Sequence, residues 1–377
     1  MTWLAPARLF DGERLRESLA LRFEEGRVAD LAPLDARMNA HPLPGTVTPG
    51  YVDLQVNGGG GVLLNADPTV AGMEAIAAAH RRLGTVALLP TVITDAPEVL
   101  DRAAEAALAA KGKPGLLGLH IEGPHIAPAR RGTHAARFIR PLDDRTLTLV
   151  RRLREGGVPV LLTLAPEATT PGQIAALAAM GTVVSLGHSD ATAAQARAAL
   201  AEGARAVTHL FNAMSPLTHR EPGLVGAALN STVPAGIIAD GHHVAFEVLA
   251  LALRARLAPD LLFLVSDAMP TVGGPDRFRL YDMDLHVQDG RLLNPEGNLA
   301  GAHTTMAEGV ANLVAQAGVP PEAALRMAVT IPARLIGRPG LATLEGRPAA
   351  DLLRLDAALR PLGPPGETLV DLGPPIQ

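Results

Sequence analysis

Short apolar runs alternate with alanine-rich, amphipathic segments through most of the chain after residue 48. Eight of the apolar runs are predicted to form strands: Tyr51–Val56, Thr85–Leu89, Leu116–Ile121, Val158–Leu164, Val183–Leu186, Ala206–Val207, Gly236–Ala239 and Leu262–Ser266. Six segments between or after them have helical spacing: Thr69–Leu83, Pro97–Ala110, Asp143–Arg154, Pro171–Ala179, Ala191–Glu202 and Val244–Arg256. Near-continuous apolar strands that alternate with amphipathic helices are typical of a parallel sheet covered by helices.

Eight strands with intervening helices in about 250 residues match the size of a (β/α)8 barrel of the TIM type. An open, doubly wound sheet is the alternative architecture. No GxGxxG segment follows an early strand, and polar residues end nearly every strand, so the pattern favours the barrel. We therefore predict an α/β fold in which residues 49–339 form this barrel.

The two ends of the chain have a different pattern from the middle. Residues 1–48 contain three predicted strands joined by Asp-Gly and Glu-Gly turns: Ala7–Phe10, Leu19–Phe23 and Arg27–Leu31. The tail is rich in Pro and Gly, with strands predicted at Asp351–Leu355 and Thr368–Asp371. We predict that residues 1–48 and 340–377 form one small, discontinuous β-sandwich domain. Ahead of the tail, the sequence predicts a hairpin at Phe278–Val287, broken by Asp289-Gly290, and helices at Thr305–Gln316 and Glu322–Ile336.

Composition narrows the class of protein. The 377 residues have a formal net charge of −5, which argues against a surface for nucleic acid or anionic membranes. Cysteine is absent, which excludes disulfides, thiolate metal sites and cysteine nucleophiles. We see no signal peptide, and no apolar run is long enough to span a bilayer. These features predict a cytoplasmic protein with no nucleic-acid or membrane partner.

Polar side chains stand at the carboxyl ends of several predicted strands. Glu122 follows the third strand, His188 and His209 follow the fifth and sixth, and Asp267 follows the eighth. In a barrel these ends meet at the rim where ligands bind. Two imidazoles and one carboxylate with an open position form the ligand set of a catalytic metal site. Asp267 is then placed to act as a general base.

Simpler interpretations apply to single residues of this set. Any one of the 12 histidines is more often a hydrogen-bonded structural or surface residue than a metal ligand. The convergence of four polar strand ends on one rim is what favours the metal.

The glycine run at 58–61 lacks the Lys-Ser/Thr of a phosphate-binding P-loop, so we interpret it as a flexible rim loop. Glu167 is interpreted as a structural support for the site.

Several motifs, taken together and in order, resemble one known family. They are Pro49–Gly58 (PGYVDLQVNG), His120–Pro124 (HIEGP), Gly132–His134 (GTH), Leu164–Glu167 (LAPE), Gly187–Ser189 (GHS), Thr208–Met214 (THLFNAM), Ala239–His243 (ADGHH), Ser266–Ala268 (SDA) and Leu299–Gly301 (LAG). The chain resembles the N-acetylglucosamine-6-phosphate deacetylases, which belong to the metal-dependent amidohydrolase superfamily. The combination of THLFNAM with HxEGP is the most specific part of the resemblance, which covers essentially the whole chain.

The resemblance implies a barrel with a small β-sandwich and a role for each matching residue. Glu122, His188 and His209 would bind one divalent metal ion per subunit, with zinc as the first candidate and iron, cobalt or manganese as others. Asp267 would be the catalytic acid/base, and His134 would hydrogen-bond the acetyl oxygen. The residues implied to bind the sugar phosphate are Thr133, His134, Asn212, Ala213, Arg220, Asp240, His243, Leu299, Ala300 and Gly301.

The implied substrate is a small amino-sugar phosphate. The expected reaction is the hydrolysis of N-acetylglucosamine 6-phosphate to glucosamine 6-phosphate and acetate, in amino-sugar catabolism or recycling. Arg220 would reach the phosphate bound in the neighbouring subunit of a homodimer, since arginine suits bidentate phosphate contact.

Two positions on the first strand depart from the wider superfamily. Many amidohydrolases have an HxH pair there for a binuclear centre, whereas this chain has Gln55 and Asn57, which are poor metal ligands beside imidazole. A single essential metal is therefore expected, with a second, weaker site left open. The alternative functions are hydrolysis of another N-acyl amino sugar, such as N-acetylgalactosamine 6-phosphate, hydrolysis of a cyclic amide, or a non-catalytic barrel.

Overall fold

The chain begins with five strands, which belong to a small sheet outside the barrel. The computed structural model describes residues 3–363 and 366–367, so the strand predicted at Thr368–Asp371 lies outside the described residues. The first strands are β1 (Trp3–Phe10), β2 (Leu15–Arg16), β3 (Leu19–Glu24), β4 (Arg27–Pro33) and β5 (Ala40–Pro49). The predicted turns at Asp11-Gly12 and Glu25-Gly26 are confirmed between β1 and β2 and between β3 and β4.

The middle of the chain contains the predicted barrel. Its strands, together with those of a short hairpin and of a three-stranded sheet, are β6 (Tyr51–Val56), β7 (Gly58–Gly59), β8 (Val62–Leu63), β9 (Thr85–Ile93), β10 (Leu119–Glu122), β11 (Val160–Leu164), β12 (Val183–Leu186), β13 (Ala206–Val207), β14 (Ala235–Ile237), β15 (Leu262–Leu264), β16 (Arg277–Leu280), β17 (Met283–Gln288) and β18 (Arg291–Leu293). Eight of them pair in parallel in the order β15-β14-β13-β12-β11-β10-β9-β6. A parallel bridge between Val56 and Ala268 joins the two ends of this sheet, so the barrel is nearly closed.

Helices cover the outer face of the barrel. They are α1 (Val70–Arg82), α2 (Pro97–Ala109), α3 (Asp144–Glu155), α4 (Gln173–Ala179), α5 (Ala193–Glu202), α6 (Gly223–Leu229), α7 (Phe246–Ala255), α8 (Met306–Ala315), α9 (Pro321–Leu325) and α10 (Ile331–Leu335). Thr69, Asp143, Thr192 and Thr305 cap four of them by accepting a backbone N–H. None of the described helices is long and apolar enough to cross a bilayer.

Three local predictions need correction. The expected helix at Glu322–Ile336 is divided by a π-helical turn at Arg326–Thr330, just before Pro332, which has no N–H to continue the α-helical bonding. Helix α6 was missed because all seven of its residues are buried and show no amphipathic period. The glycine run is not a free loop: β7 pairs with β8, and His80 Nε2 lies 2.9 Å from Gly58 O.

Both ends of the chain contribute to the small sheet. The last described strand, β19 (Leu352–Leu355), pairs antiparallel with β5, and the sheet order is β19-β5-β1-β3-β4, with β2 on β1. A separate apolar cluster stabilises it, formed by Leu4, Leu9, Leu21, Val28, Leu43, Val47, Leu344 and Leu352. A single residue, Gly50, separates the end of β5 from the start of the barrel strand β6. The small sheet is therefore attached at the base of the barrel.

Candidate active site

Four polar side chains meet at the carboxyl rim of the barrel. Glu122 is the last residue of β10, and His188, His209 and Asp267 follow β12, β13 and β15. The last three have left-handed backbones, with φ of 48°, 27° and 51°. Non-glycine residues rarely adopt this conformation, and such strain concentrates at functional sites. All four side chains are buried, and the strand ends bring them together as the sequence predicts.

Three of these residues form a compact set of candidate metal ligands. Glu122 Oε1 lies 3.2 Å from His188 Nε2 and 3.0 Å from His209 Nε2, and the two nitrogens are 3.1 Å apart. Ligand atoms of a tetrahedral zinc ion are separated by about 3.4 Å, given zinc–nitrogen distances of about 2.0–2.1 Å. Two ring nitrogens and a carboxylate oxygen this close repel one another unless a proton or a cation lies between them. The donor set therefore fits a divalent metal ion.

His134 offers an alternative ligand. One atom each from Glu122, His134 and His188 lies within 4.8 Å of the others. The triangle with His209 has contacts of 3.0–3.2 Å between its ligand atoms, the close spacing that a tetrahedral site needs, and His134 Nδ1 is engaged by Thr94 Oγ1. We therefore favour His209 over His134 as the third ligand.

Neighbouring groups orient His188. Its Nδ1 lies 2.9 Å from the carbonyl oxygen of Arg130, which can only accept a hydrogen bond, so Nδ1 carries the proton. The Nε2 lone pair is then directed at the proposed metal position, an arrangement usual for histidine ligands. Glu167 accepts hydrogen bonds from Ser189 Oγ at 2.7 Å and from Asp190 N at 2.6 Å. Glu167 thus holds the loop that follows His188, as a structural support would.

The ionisation of Glu122 and His209 is linked. Burial opposes the charge on Glu122, but its contacts with the His188 and His209 rings outweigh it and hold the pKa of Glu122 well below its ordinary value. Burial likewise opposes the charge on His209, yet its contact with Glu122 raises the His209 pKa overall. An ionised Glu122 beside two imidazoles is the charge state that a cation requires.

Asp267 lies beside this triangle and is held by two amides. Gln55 Nε2 donates to Asp267 Oδ1 at 3.0 Å and also to Glu122 Oε1 at 3.0 Å, and Asn57 Nδ2 donates to Asp267 Oδ1 at 2.7 Å. Burial and the charge of Glu122 raise the pKa of Asp267 to about 6. A carboxyl that titrates close to neutral pH can both accept and return a proton.

His134 faces the site from the loop after β10. Its Nδ1 is 2.7 Å from Thr94 Oγ1, and its ring centroid is 4.4 Å from that of His188. Burial, followed by the charge of His188, lowers the pKa of His134 to about 3. His134 is therefore neutral, and if Thr94 donates to Nδ1, its Nε2–H is available as a hydrogen-bond donor.

A cavity of about 180 Å³ opens above these groups. Its walls include most residues that the sequence predicts for the site: Asn57, Glu122, Thr133, His134, His188, His209, Asn212, Ala213, His243, Asp267, Leu299 and Gly301. Gln55 lies beneath it and binds both carboxylates. The buried acceptor Asn57 Oδ1 has no partner among the described residues, which leaves it for a donor in the cavity.

Three predicted binding residues do not line the cavity. Asp240 lies behind His243, with its Oδ2 2.6 Å from His243 Nδ1, and so orients that ring. Ala300 is fully buried under the wall. Arg220 is exposed on the loop before α6.

Apart from Gly132, which belongs to the GTH motif, the sequence analysis missed two wall residues, Ile93 and Met269. Ile93 ends β9, and Met269 follows Asp267 by two residues. Both are apolar, so neither carries the polar signal by which the other rim residues were recognised. The available clue was their place in the chain, Ile93 at the end of a strand and Met269 beside Asp267.

Comparison with known proteins identifies the family. The model of the amidohydrolase family matches residues 46–372. The chain belongs to the amidohydrolase family. Members of this family share the barrel described above, and the prediction of an amidohydrolase enzyme is confirmed.

Two relatives and one solved structure that are similar to this chain are all named as deacetylases of N-acetylated amino-sugar 6-phosphates. An N-acetylgalactosamine-6-phosphate deacetylase of Shewanella sp. strain ANA-3 is 38% identical over 360 residues, covering 93% of this chain and 91% of its own length. The human N-acetylglucosamine-6-phosphate deacetylase is 35% identical, covering 95% of this chain and 88% of its own. The crystal structure of the N-acetylglucosamine-6-phosphate deacetylase of Pasteurella multocida superposes with a TM-score of 0.87 at 32% identity, covering 96% and 97% of the two chains.

Proposed function

We propose that this amidohydrolase removes the acetyl group of N-acetylglucosamine 6-phosphate by hydrolysis, in amino-sugar metabolism. The observation that carries the proposal is the Glu122–His188–His209 triangle beside Asp267 at the base of a cavity. The names of the relatives supply the substrate class. The 38% identity to an N-acetylgalactosamine-6-phosphate deacetylase favours the C4 epimer as the second candidate substrate.

Glu122, His188 and His209 would hold one divalent metal ion. When bound, such an ion activates a water and polarises the amide carbonyl. Imidazole and carboxylate ligands suit zinc first, and iron, cobalt or manganese as well. Gln55 and Asn57 are amides that donate to carboxylates in this structure, which supports a single metal rather than a binuclear centre.

Asp267 would move the proton in both halves of the reaction. Its two amide partners bind Oδ1, which leaves Oδ2 to accept a proton from the attacking water. The water oxygen forms a bond to the acetyl carbon, and the carbon–nitrogen bond then breaks. Asp267 returns its proton to the departing amine, giving acetate and the free amino sugar. His134 Nε2–H would donate to the acetyl oxygen as negative charge develops there.

The sugar phosphate would lie against the wall formed by Thr133, Asn212, Ala213, His243, Leu299 and Gly301, with Ala300 supporting it from behind. Asp240 orients His243 toward the cavity by the contact at 2.6 Å. We infer that Arg220, which is exposed and makes no side-chain hydrogen bond or ion pair with the described residues, reaches the phosphate bound by a second subunit of a homodimer.

Two further predictions from the sequence are kept as proposals. The division into a small domain of residues 1–48 and 340–377 and a barrel of residues 49–339 is supported by the junction of β5 and β6 at Gly50. Cytoplasmic location stays a prediction.

Acetate release tests the function. Protein stripped of metal by a chelator and reloaded with single divalent ions is given N-acetylglucosamine 6-phosphate, N-acetylgalactosamine 6-phosphate or unphosphorylated N-acetylglucosamine. We expect metal-dependent acetate release from a 6-phosphate and much weaker release without it. Metal-loaded protein that releases no acetate from either phosphorylated sugar would contradict the proposal. Faster acetate release from N-acetylgalactosamine 6-phosphate than from N-acetylglucosamine 6-phosphate would make the galactosamine derivative the substrate.

A further inference from the structure

Cationic side chains gather at the end of the barrel opposite the active site. Two adjoining cavities, of about 180 and 280 Å³, share Gly157, Pro159 and Arg338 in their walls. The larger one contacts Val160 and Val183, the first residues of β11 and β12, so both cavities lie at the amino end of the barrel strands. Five cations line the two cavities, and none of their described wall residues is acidic: Lys111, Arg154, Arg205, Arg334 and Arg338.

Three of these cations have partners in the fold. Lys111 Nζ donates to the carbonyl of Gly156 at 2.8 Å. Arg154 donates from Nε and Nη1 to the carbonyls of Met180 and Val158. Helices α3 and α4 end here, and the negative ends of helix dipoles attract cations. Arg334 pairs with Glu13.

The other two cations, Arg205 and Arg338, are exposed, and their guanidinium groups make no hydrogen bond or ion pair with any described residue. Arg338 is also near enough to Arg154 that its charge adds to the effect of burial in lowering the Arg154 pKa. Solvent screens the repulsion between neighbouring guanidinium groups only in part, so an anion between them is favourable. A cluster of this kind in a chain of net charge −5 is not a consequence of overall basicity.

We propose that the paired cavities bind a small molecule with two or more phosphate groups. Arginine presents a planar fork that matches phosphate oxygens, and Arg338 lines both cavities and can contact groups in each. The concave shape and small volume exclude duplex nucleic acid. None of the described wall residues is aromatic, so the stacking that single-stranded nucleic acid requires is absent there. The proposal does not depend on the function of the rim.

Calorimetric titration of the metal-loaded protein tests the site. Fructose 1,6-bisphosphate serves as the probe and fructose 6-phosphate as the monophosphate comparison, at about 150 mM salt to screen loose surface binding. The test variant combines Arg205→Ala with Arg338→Ala. The matched control combines Arg102→Ala with Arg151→Ala, which removes the same charge from exposed arginines outside both cavities. Acetate release is expected to be unchanged in both variants.

We expect the bisphosphate to bind the wild type and the control equally, and the test variant at least about tenfold more weakly, since the variant lacks two charged hydrogen-bonding partners for phosphate. The monophosphate should bind the wild type more weakly than the bisphosphate does. Equal affinity in the wild type and the test variant would overturn the proposal, because the probe would then bind elsewhere, including at the rim. Absence of saturable binding, or equal loss in both variants, would overturn it as well. The readout is binding without turnover, so failure here is separate from failure of the deacetylase activity.

Discussion

Ser266 Oγ donates a 2.5 Å hydrogen bond to Asp53 Oδ2 across the seam between the first and last strands of the barrel. The fully buried Asp53 carboxylate also accepts backbone N–H groups of Gln55, at 3.1 Å, and of Ser266, at 3.3 Å. Gln55 follows Asp53 by two residues, and Asp267 follows Ser266 directly. The seam contact thereby sets the distance between the proposed proton acceptor and the amide that binds it.

Removing the Ser266 hydroxyl should lower turnover without touching the cavity. In Ser266→Ala the seam loses its shortest bond, and we expect kcat to fall by roughly tenfold or more with KM little changed, because small displacements of a catalytic group are costly. Ser185→Ala is the control, since it removes another buried barrel hydroxyl, one that contacts Thr208. Both variants should lose stability, measured by urea unfolding. An equal change of kcat in both would contradict a positioning role for the seam.

Asp53 should also make the stability depend on pH. Burial, opposed by hydrogen bonds from Ser266 and reinforced by the charge of Asp267, raises the pKa of Asp53 to about 7, above the ordinary value of an unfolded carboxyl. Between these two values the folded chain holds a proton that the unfolded chain has lost, so the free energy of unfolding falls as pH rises. The Asp53→Asn variant has no ionisable group at this position, so its free energy of unfolding should fall less steeply as pH rises.

Urea unfolding at about pH 5 and about pH 7.5 measures the difference. We expect the wild type to lose on the order of 2 kcal/mol more than Asp53→Asn over this interval. Asp267 titrates in both proteins, so most of its own contribution is common to the two pH slopes. Parallel pH slopes for the two proteins would show that Asp53 does not change its protonation on folding.

Features that depend on local sequence could be predicted. The barrel strands follow from apolar runs, and His188 and His209 were placed at its rim because each directly follows such a run. The turn at Asp289-Gly290 is likewise local: both residues have positive φ, 50° and 74°, as a two-residue hairpin turn between β17 and β18 demands.

Features that arise from contacts between distant residues could not be predicted. Nothing near Gln55 in the sequence indicates that its amide lies between Glu122 and Asp267, which are 67 and 212 residues away. The resemblance implied that Asp240 binds substrate, and only the structure shows that its carboxylate contacts His243. Such pairings depend on how strand ends meet around the barrel, which periodicity does not specify.

Asp267→Asn should separate binding from turnover. The amide keeps the size of the carboxyl and fits the cavity, but it cannot accept and return a proton. We expect kcat for acetate release to fall by at least about a hundredfold, the usual contribution of a general base, with substrate still bound. Calorimetry with the 6-phosphate measures binding, and metal analysis checks that the ion is retained. Near-normal turnover would remove Asp267 from the mechanism.

Metal content should distinguish His209 from His134. Nε2 of His209 lies 3.0 Å from Glu122 Oε1 and 3.1 Å from His188 Nε2, whereas the His134 ring centroid lies 4.4 Å from that of His188 and its Nδ1 contacts Thr94. We therefore expect His209→Ala to lose the metal ion, as measured by elemental analysis after dialysis, and His134→Ala to keep it while turnover falls. His125→Gln is the control, because His125 is buried against Arg140 and Thr146, away from the triangle. Loss of the metal in His134→Ala with retention in His209→Ala would instead make His134 the third ligand.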